Sequence, residues 1–135
     1  MRRGFTLIEL LIAIAIIGML TAIALASFSV ARTNARDARR IDDIGQIQKA
    51  LALYLISNNT FPISVATSTL DGNDSVSAAL ISSGEFSASP RDPGAPVYEY
   101  SYSSSATGNS YILSFCLETE TIPNYNADCS NVVTP

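Results

Sequence analysis

Phe5-Thr-Leu-Ile-Glu9-Leu-Leu-Ile-Ala-Ile-Ala-Ile-Ile-Gly18-Met-Leu-Thr-Ala-Ile-Ala-Leu-Ala26 decides the fold. These 22 residues rise to about 33 Å as a helix, which matches the hydrocarbon core of a bilayer. One acid, Glu9, interrupts an otherwise apolar run. Placing its charge in hydrocarbon costs roughly 2.5–3.5 kcal/mol on insertion scales, so the carboxylate calls for a partner. The run holds no cation to supply one. A plain membrane anchor leaves Glu9 unexplained. A secretory signal is the other simple reading, because Ala24-Leu25-Ala26 forms a small-x-small cleavage site. Against it stand the length of the apolar region, beyond the usual 7–15 residues or so, and an acid that a signal core does not use.

The flanking residues point elsewhere. Arg3-Gly4-Phe5-Thr6-Leu7-Ile8-Glu9-Leu10 closely resembles the prepilin processing motif of type IV pilins and the related pseudopilins. The resemblance is specific over about the first 30 residues and looser beyond. It implies cleavage after Gly4 by a membrane aspartyl protease, N-methylation of the new terminal residue Phe5, and an assembly role for Glu9. The amine that cleavage creates on Phe5, offered by a neighbouring copy, would be the missing counter-charge. Gly18 keeps a family glycine, whereas Ala26 stands where many members carry a helix-loosening proline.

Composition narrows the remainder. The chain is 135 residues with 47% apolar content, long enough for one domain. Seven of its cations lie in the first 50 residues, while after Leu70 only Arg91 opposes eight acids. An acidic distal half repels phosphate, so direct nucleic-acid binding is not expected. Histidine is absent, which removes the commonest metal ligand and general base. No phosphate loop and no metal-spaced cysteines appear, so no enzyme activity and no cofactor are expected. Glu118, Glu120 and Asp128, with Asn124 and Asn126, are weak candidates for a hard-cation site. Their spacing fits no defined loop, and a solvated acidic turn explains them better.

Ala38, Ile41, Ile44, Gln48, Leu51 and Leu55 step by three and four, with Ile47 and Tyr54 widening the stripe. The helix should therefore continue past the membrane to about Ser57, roughly 80 Å in all, and stop at Asn58-Asn59-Thr60-Phe61-Pro62. The stretch from Arg32 to Arg40 reads as a solvated, salt-bridged helix face. Four arginines follow the apolar run and two precede it, a bias that alone would keep the distal side in the cytoplasm. The resemblance implies the opposite orientation, and Asp37, Asp42 and Asp43 sit at helical spacing to partner the arginines.

Residues 63–84 read as a Ser/Thr-rich connection with one short helix, capped by Asp74 or Ser75, carrying Val76, Ala79 and Leu80, and ended by Gly84. Pro90, Pro93, Gly94 and Pro96 mark a loop. Val97–Ser103 and Tyr111–Glu118 alternate strictly around a Gly-containing turn and predict an antiparallel hairpin. Its Tyr98, Tyr100, Tyr102, Tyr111, Leu113, Phe115 and Leu117 would cover the helical stripe. An aromatic row could also serve as a sugar platform, but packing is the simpler use. Cys116 would face outward, and a disulfide to Cys129 would strap the C-terminal segment across the outside of the sheet. Asn58-Asn59-Thr60 and Asn73-Asp74-Ser75 match the short glycosylation pattern.

The expectation is an α+β chain, with a long N-terminal helix packed on a small antiparallel sheet. Its parts are a leader (1–4), a membrane and filament-core half-helix (5–30) and a head (31–135). The head divides into an amphipathic half-helix (31–57), a connection (58–96) and a sheet with its disulfide (97–135). The resemblance implies a polymer of this chain with other pilins. It also implies a prepilin peptidase, an assembly ATPase and a membrane platform protein as partners. The chain would lie in a bacterial-type cell membrane before assembly, and in a surface or periplasmic filament afterwards. A pseudopilin of type II secretion or of a competence system is the alternative within the superfamily. A secreted binding or adhesin domain cleaved after Ala26 is the alternative from another class.

Overall fold

The computed structural model describes residues 5–84 and 86–135, and of Ala26 only the backbone. The cleavage residue Gly4 lies outside the described residues. Helix α1 spans Leu7–Asn58. Strand β1 (Ser68–Thr69), helix α2 (Ser75–Ser82) and strands β2 (Ser101–Ser104), β3 (Tyr111–Phe115) and β4 (Asn131–Val133) follow. The sheet is antiparallel throughout, in the order β1-β2-β3-β4. This is the expected α+β, pilin-like fold. The chain divides into two compact units, Met1–Thr33 and Asn34–Pro135.

Within the second unit, α1 contributes Ile44, Ile47, Ala50 and Leu51 to a core completed by Leu70, Val76, Leu80, Tyr100, Tyr102, Leu113 and Phe115. The aromatic residues are packing groups. Tyr100 and Tyr102 have no solvent exposure, and each phenol has a partner, as a buried hydroxyl requires. Tyr100 donates to Asp43 Oδ2 (2.9 Å) and Tyr102 to the Pro62 carbonyl (2.8 Å). The helix stops where the sequence signals it. Asn59 takes a left-handed φ of 59° and its N–H returns to the Leu55 carbonyl at 2.8 Å. Helix α2 also matches expectation: Asp74 is its N-cap, accepting from Val76 N and Ser77 N, and Gly84 follows it at a φ of 84°.

Four local expectations are corrected. Ala38 is exposed, and the buried stripe runs N-terminally through Asp37 and Arg40 instead. The connection contains a strand, because β1 pairs with β2 through Ser68↔Tyr102 and Thr69↔Ser101. The first hairpin strand begins at Ser101 rather than Val97, after a proline-rich loop that includes a cis Ala95–Pro96 bond. Cys116 does not face outward: alternation ends with β3, and Phe115, Cys116 and Leu117 are buried in succession. The disulfide Cys116–Cys129 is formed. The segment it ties down becomes the edge strand β4, paired to β3 at Leu113↔Val133, Ser114↔Val132 and Phe115↔Asn131.

The disulfide closes a loop of sequence separation 13, for which restriction of the unfolded chain gives about 3 kcal/mol. Cys116→Ser should lower the unfolding free energy of the head by about that amount. Tyrosine fluorescence of the full chain in detergent would follow it, and an unchanged denaturation midpoint would argue against the bridge.

Candidate assembly site

In the first unit, every described residue from Phe5 to Val30 is exposed except Ala13. Phe5 is 77% exposed and Met19 70%. An 18-residue window of α1 has a mean hydropathy of 2.6 and no burial. This helix is long and apolar enough to cross a membrane, and the described residues bury none of that window. Its polar side chains are satisfied locally, as an apolar surrounding demands. Thr21 donates to the Ile17 carbonyl (2.7 Å), Ser27 to Ile23 (3.2 Å) and Thr33 to Ser29 (3.0 Å).

Glu9 has a local role that the sequence reading missed. The Thr6 N–H and hydroxyl donate to Glu9 Oε2 at 2.9 and 2.8 Å, and the Glu9 N–H donates to Thr6 Oγ1 at 3.3 Å. This reciprocal pair is a capping box, which satisfies otherwise orphaned N–H groups at a helix start. The Thr-x-x-Glu spacing at 6–9 was the available signal. Only Oε2 is used, so Oε1 accepts no hydrogen bond and no cation reaches Glu9 among the described residues. The cap orients the carboxylate at the helix start, and among the described residues no counter-ion joins it.

The second unit holds a different charge arrangement. Arg40 has no solvent exposure. Its Nε and Nη2 grip both oxygens of Asp92 (2.9 and 3.0 Å), while Nη1 reaches Asp37 Oδ1 (2.7 Å) and Glu118 Oε1 (2.8 Å). Arg36 makes a second bidentate pair with Glu118 (2.7 and 2.5 Å). Asp37 also accepts from the Glu118 and Thr119 amides and the Thr119 hydroxyl. The Tyr98 ring lies 4.9 Å from the Arg40 guanidinium carbon. Gly94 makes room for this packing, since a Cβ there would sit 2.8 Å from Arg40 Nη2 and from Tyr98 Cδ2.

The stretch 32–40 is therefore not a uniformly solvated face. Asp37 and Arg40 lie inside because α1 turns them toward residues 92–98 and 117–119, which burial alone would have assigned to apolar side chains. Asp42 makes no ion pair among the described residues, and Arg39 reaches Asp43 only at 4.0 Å. Glu118 is likewise no solvated acid. The hydrogen bonds from Arg36, with burial opposing and Arg40 adding to them, hold its carboxyl down to about 2. Burial opposes the charge of Asp37, but donors from Thr119, Glu118 and Arg40 outweigh it and lower its pKa. Burial also opposes the charge on Arg40, and its three carboxylates raise it on balance. Glu118, Glu120 and Asp128 do not converge. Among the described residues no group of three or more acids or cysteines could hold a metal ion.

Comparison with known proteins agrees with the N-terminal geometry. The chain carries the prokaryotic N-terminal methylation motif, matched over residues 1–25, and with its long helix and small sheet it is pilin-like. It is similar to type II secretion system core protein G of Pectobacterium carotovorum subsp. carotovorum, at 31% identity over 61 residues, 45% of this chain and 39% of that protein. The protein of the same description from Escherichia coli (strain K12) matches at 31% over 61 residues, 45% of this chain and 42% of that protein. The match thus spans about two fifths of the length of these curated relatives. No solved structure matches the chain.

Two outcomes follow for the buried charges. Arg40→Met leaves Asp37 and Asp92 without their counter-ion, and removing one partner of a buried pair costs about 3–5 kcal/mol. Urea unfolding of the full chain in detergent should show that loss. The pH dependence has a definite sign. The pKa of Glu118 falls from an ordinary 4.5 to about 2 in the fold, so its contribution is present above pH 4.5 and lost as pH falls toward 2. Asp37 acts in the same sense, while Asp43, raised by burial, acts in the opposite one. The melting temperature should therefore decline from about pH 5 to pH 2, and Glu118→Gln should give a lower but flatter profile.

Proposed function

We propose that this chain is a structural, non-catalytic subunit of a type IV pilus-like filament. It enters the membrane as a precursor, is cut after Gly4, is methylated on Phe5 and polymerises through the first half of α1. The observation that carries this reading is the uncovered apolar helix with Glu9 as its lone acid. In lipid the helix gains little from the hydrophobic effect on associating, because the surrounding is already apolar. Register must then come from packing and from charge, and Glu9 with a neighbour's Phe5 amine supplies the charge. Methylation keeps the amine positive. The Thr6 cap supports the reading, since it leaves Oε1 open to a cation from outside. The partners on this reading are further copies or other pilins, a prepilin peptidase, an assembly ATPase and a membrane platform protein. The acidic head would lie on the filament exterior.

A second reading is favoured by the two relatives named for type II secretion. The same subunit would then build a short pseudopilus within the cell envelope. Electron microscopy of intact cells separates the two, as surface fibres labelled by antibody to the head or as their absence.

Mass spectrometry of the native N-terminus should find N-methylated Phe5. A mature chain beginning at Ser27 would mean a secreted binding domain instead. Glu9→Ala should be cleaved normally yet lose filament yield by about tenfold or more, the equivalent of about 1.4 kcal/mol per contact. Undiminished filaments in that variant would overturn the charge pairing.

A further inference from the structure

The buried stripe of α1 leaves the opposite face of its head half uncovered by this chain. Asp42, Gly45, Lys49 and Ile56 recur there at intervals of three, four and seven, with Leu53 beside them. Asp42 and Lys49 are exposed, Leu53 is 49% and Ile56 76% exposed. Gly45 interrupts a helix interior, where glycine is a poor choice, and apart from its own helix backbone no described atom lies within 4 Å of where its Cβ would be. No contact among the described residues explains that glycine. Asp42 and Lys49 enter no ion pair among the described residues, although every other charge on α1 between Arg36 and Asp43 does. A groove of about 330 Å³ lined by Gln46, Lys49, Leu53 and Phe86 runs beside the face.

We propose that this face packs against neighbouring copies of the chain, with Lys49 of one molecule paired to Asp42 of the next. The proposal rests on the filament reading and extends it to the head. The charges identify the occupant. Copies inserted in one membrane point the same way, so an acid and a base seven residues apart cannot meet their counterparts without an axial offset. An offset brings Lys49 of one copy level with Asp42 of its neighbour. The full seven residues correspond to about 10 Å, and less is needed because helical side chains lean toward the N-terminus. The sense is the same as that of a Phe5 amine meeting a neighbour's Glu9. Each pair leaves one Asp42 and one Lys49 unused, at different axial levels of the same face, Asp42 for one neighbour and Lys49 for the other. Such a contact is heterologous and does not close on itself, so it propagates. Gly45, between the two charges, lets the backbones approach.

The test is charge reversal in the full chain, expressed with its own assembly apparatus. Asp42→Lys or Lys49→Asp alone should reduce sheared or pelleted polymer about tenfold or more, since like charges brought together are strongly disfavoured. The double reversal should restore it. Both positions are exposed, and unchanged melting of each variant would show that folding is intact. Asp42→Cys with Lys49→Cys should oxidise in native membranes to a ladder of dimers, trimers and larger species. Wild-type yield in the single variants, no recovery in the double one, or cross-linking that stops at dimers would overturn the proposal while leaving the filament standing. A wild-type chain that never polymerises would sink the filament reading itself. Rescue of a single reversal only by a different protein carrying the complementary charge would assign the face to that partner and also overturn self-pairing.

Discussion

A guanidinium without access to water persists only where carboxylates surround it, and Arg40 organises the head through that constraint. Three acids meet it from sequence positions 37, 92 and 118, so one side chain joins α1 to the proline-rich loop and to the end of β3. Removing Arg40 from its partners would strand charges that have already lost their hydration, which makes the cluster all-or-none. The Cys116–Cys129 bridge begins two residues before Glu118, and together they fix the C-terminal third of a small head whose apolar core is modest. The core explains why the sheet covers α1. The charge cluster explains why the loops lie where they do.

Unit 1 of the chain obeys the opposite rule. Among the described residues its large apolar side chains are exposed, and the hydroxyls of Thr21, Ser27 and Thr33 bond back to their own turns. Only Glu9 departs from that self-sufficiency, and the Thr6 cap satisfies half of its carboxylate. A surface so complete in hydrogen bonding and so bare of contacts suits two successive environments, lipid and a bundle of like helices, with little change in the helix itself. Specificity then has to come from the few polar positions that such a surface retains.

The elements visible in the sequence were those with a period. The apolar run, the amphipathic stripe from Ile41 to Leu55, the capped helix at Asp74 and the alternating tyrosines all announced themselves because each repeats at 3.6 or at 2. What stayed hidden depends on contacts between distant residues. Strand β1 has only Ser68 and Thr69, with no alternation to read. Cys116 turned inward because β3 ends one residue before it, a boundary that no propensity marks. Arg40 and Asp37 looked solvated because charged residues at i and i+3 usually are; their burial depended on Asp92 and Glu118, 52 and 78 residues further on. At the candidate site, Glu9 was legible as an unpartnered acid, whereas the Thr6 half of the capping box was overshadowed by the processing motif containing it.

The buried cluster also resolves a conflict in the charge pattern. Four arginines follow the apolar run, and counted as free cations they would hold the head on the cytoplasmic side. Folding removes Arg36 and Arg40 from that count, because each is bonded to carboxylates within the head. Arg39 has only a long contact to Asp43 and Arg32 no ion pair among the described residues, so the folded chain displays a weaker bias than the bare sequence. The charge pattern of the folded head therefore does not oppose the orientation that the proposed filament needs, and the guanidinium that organises the loops is the reason.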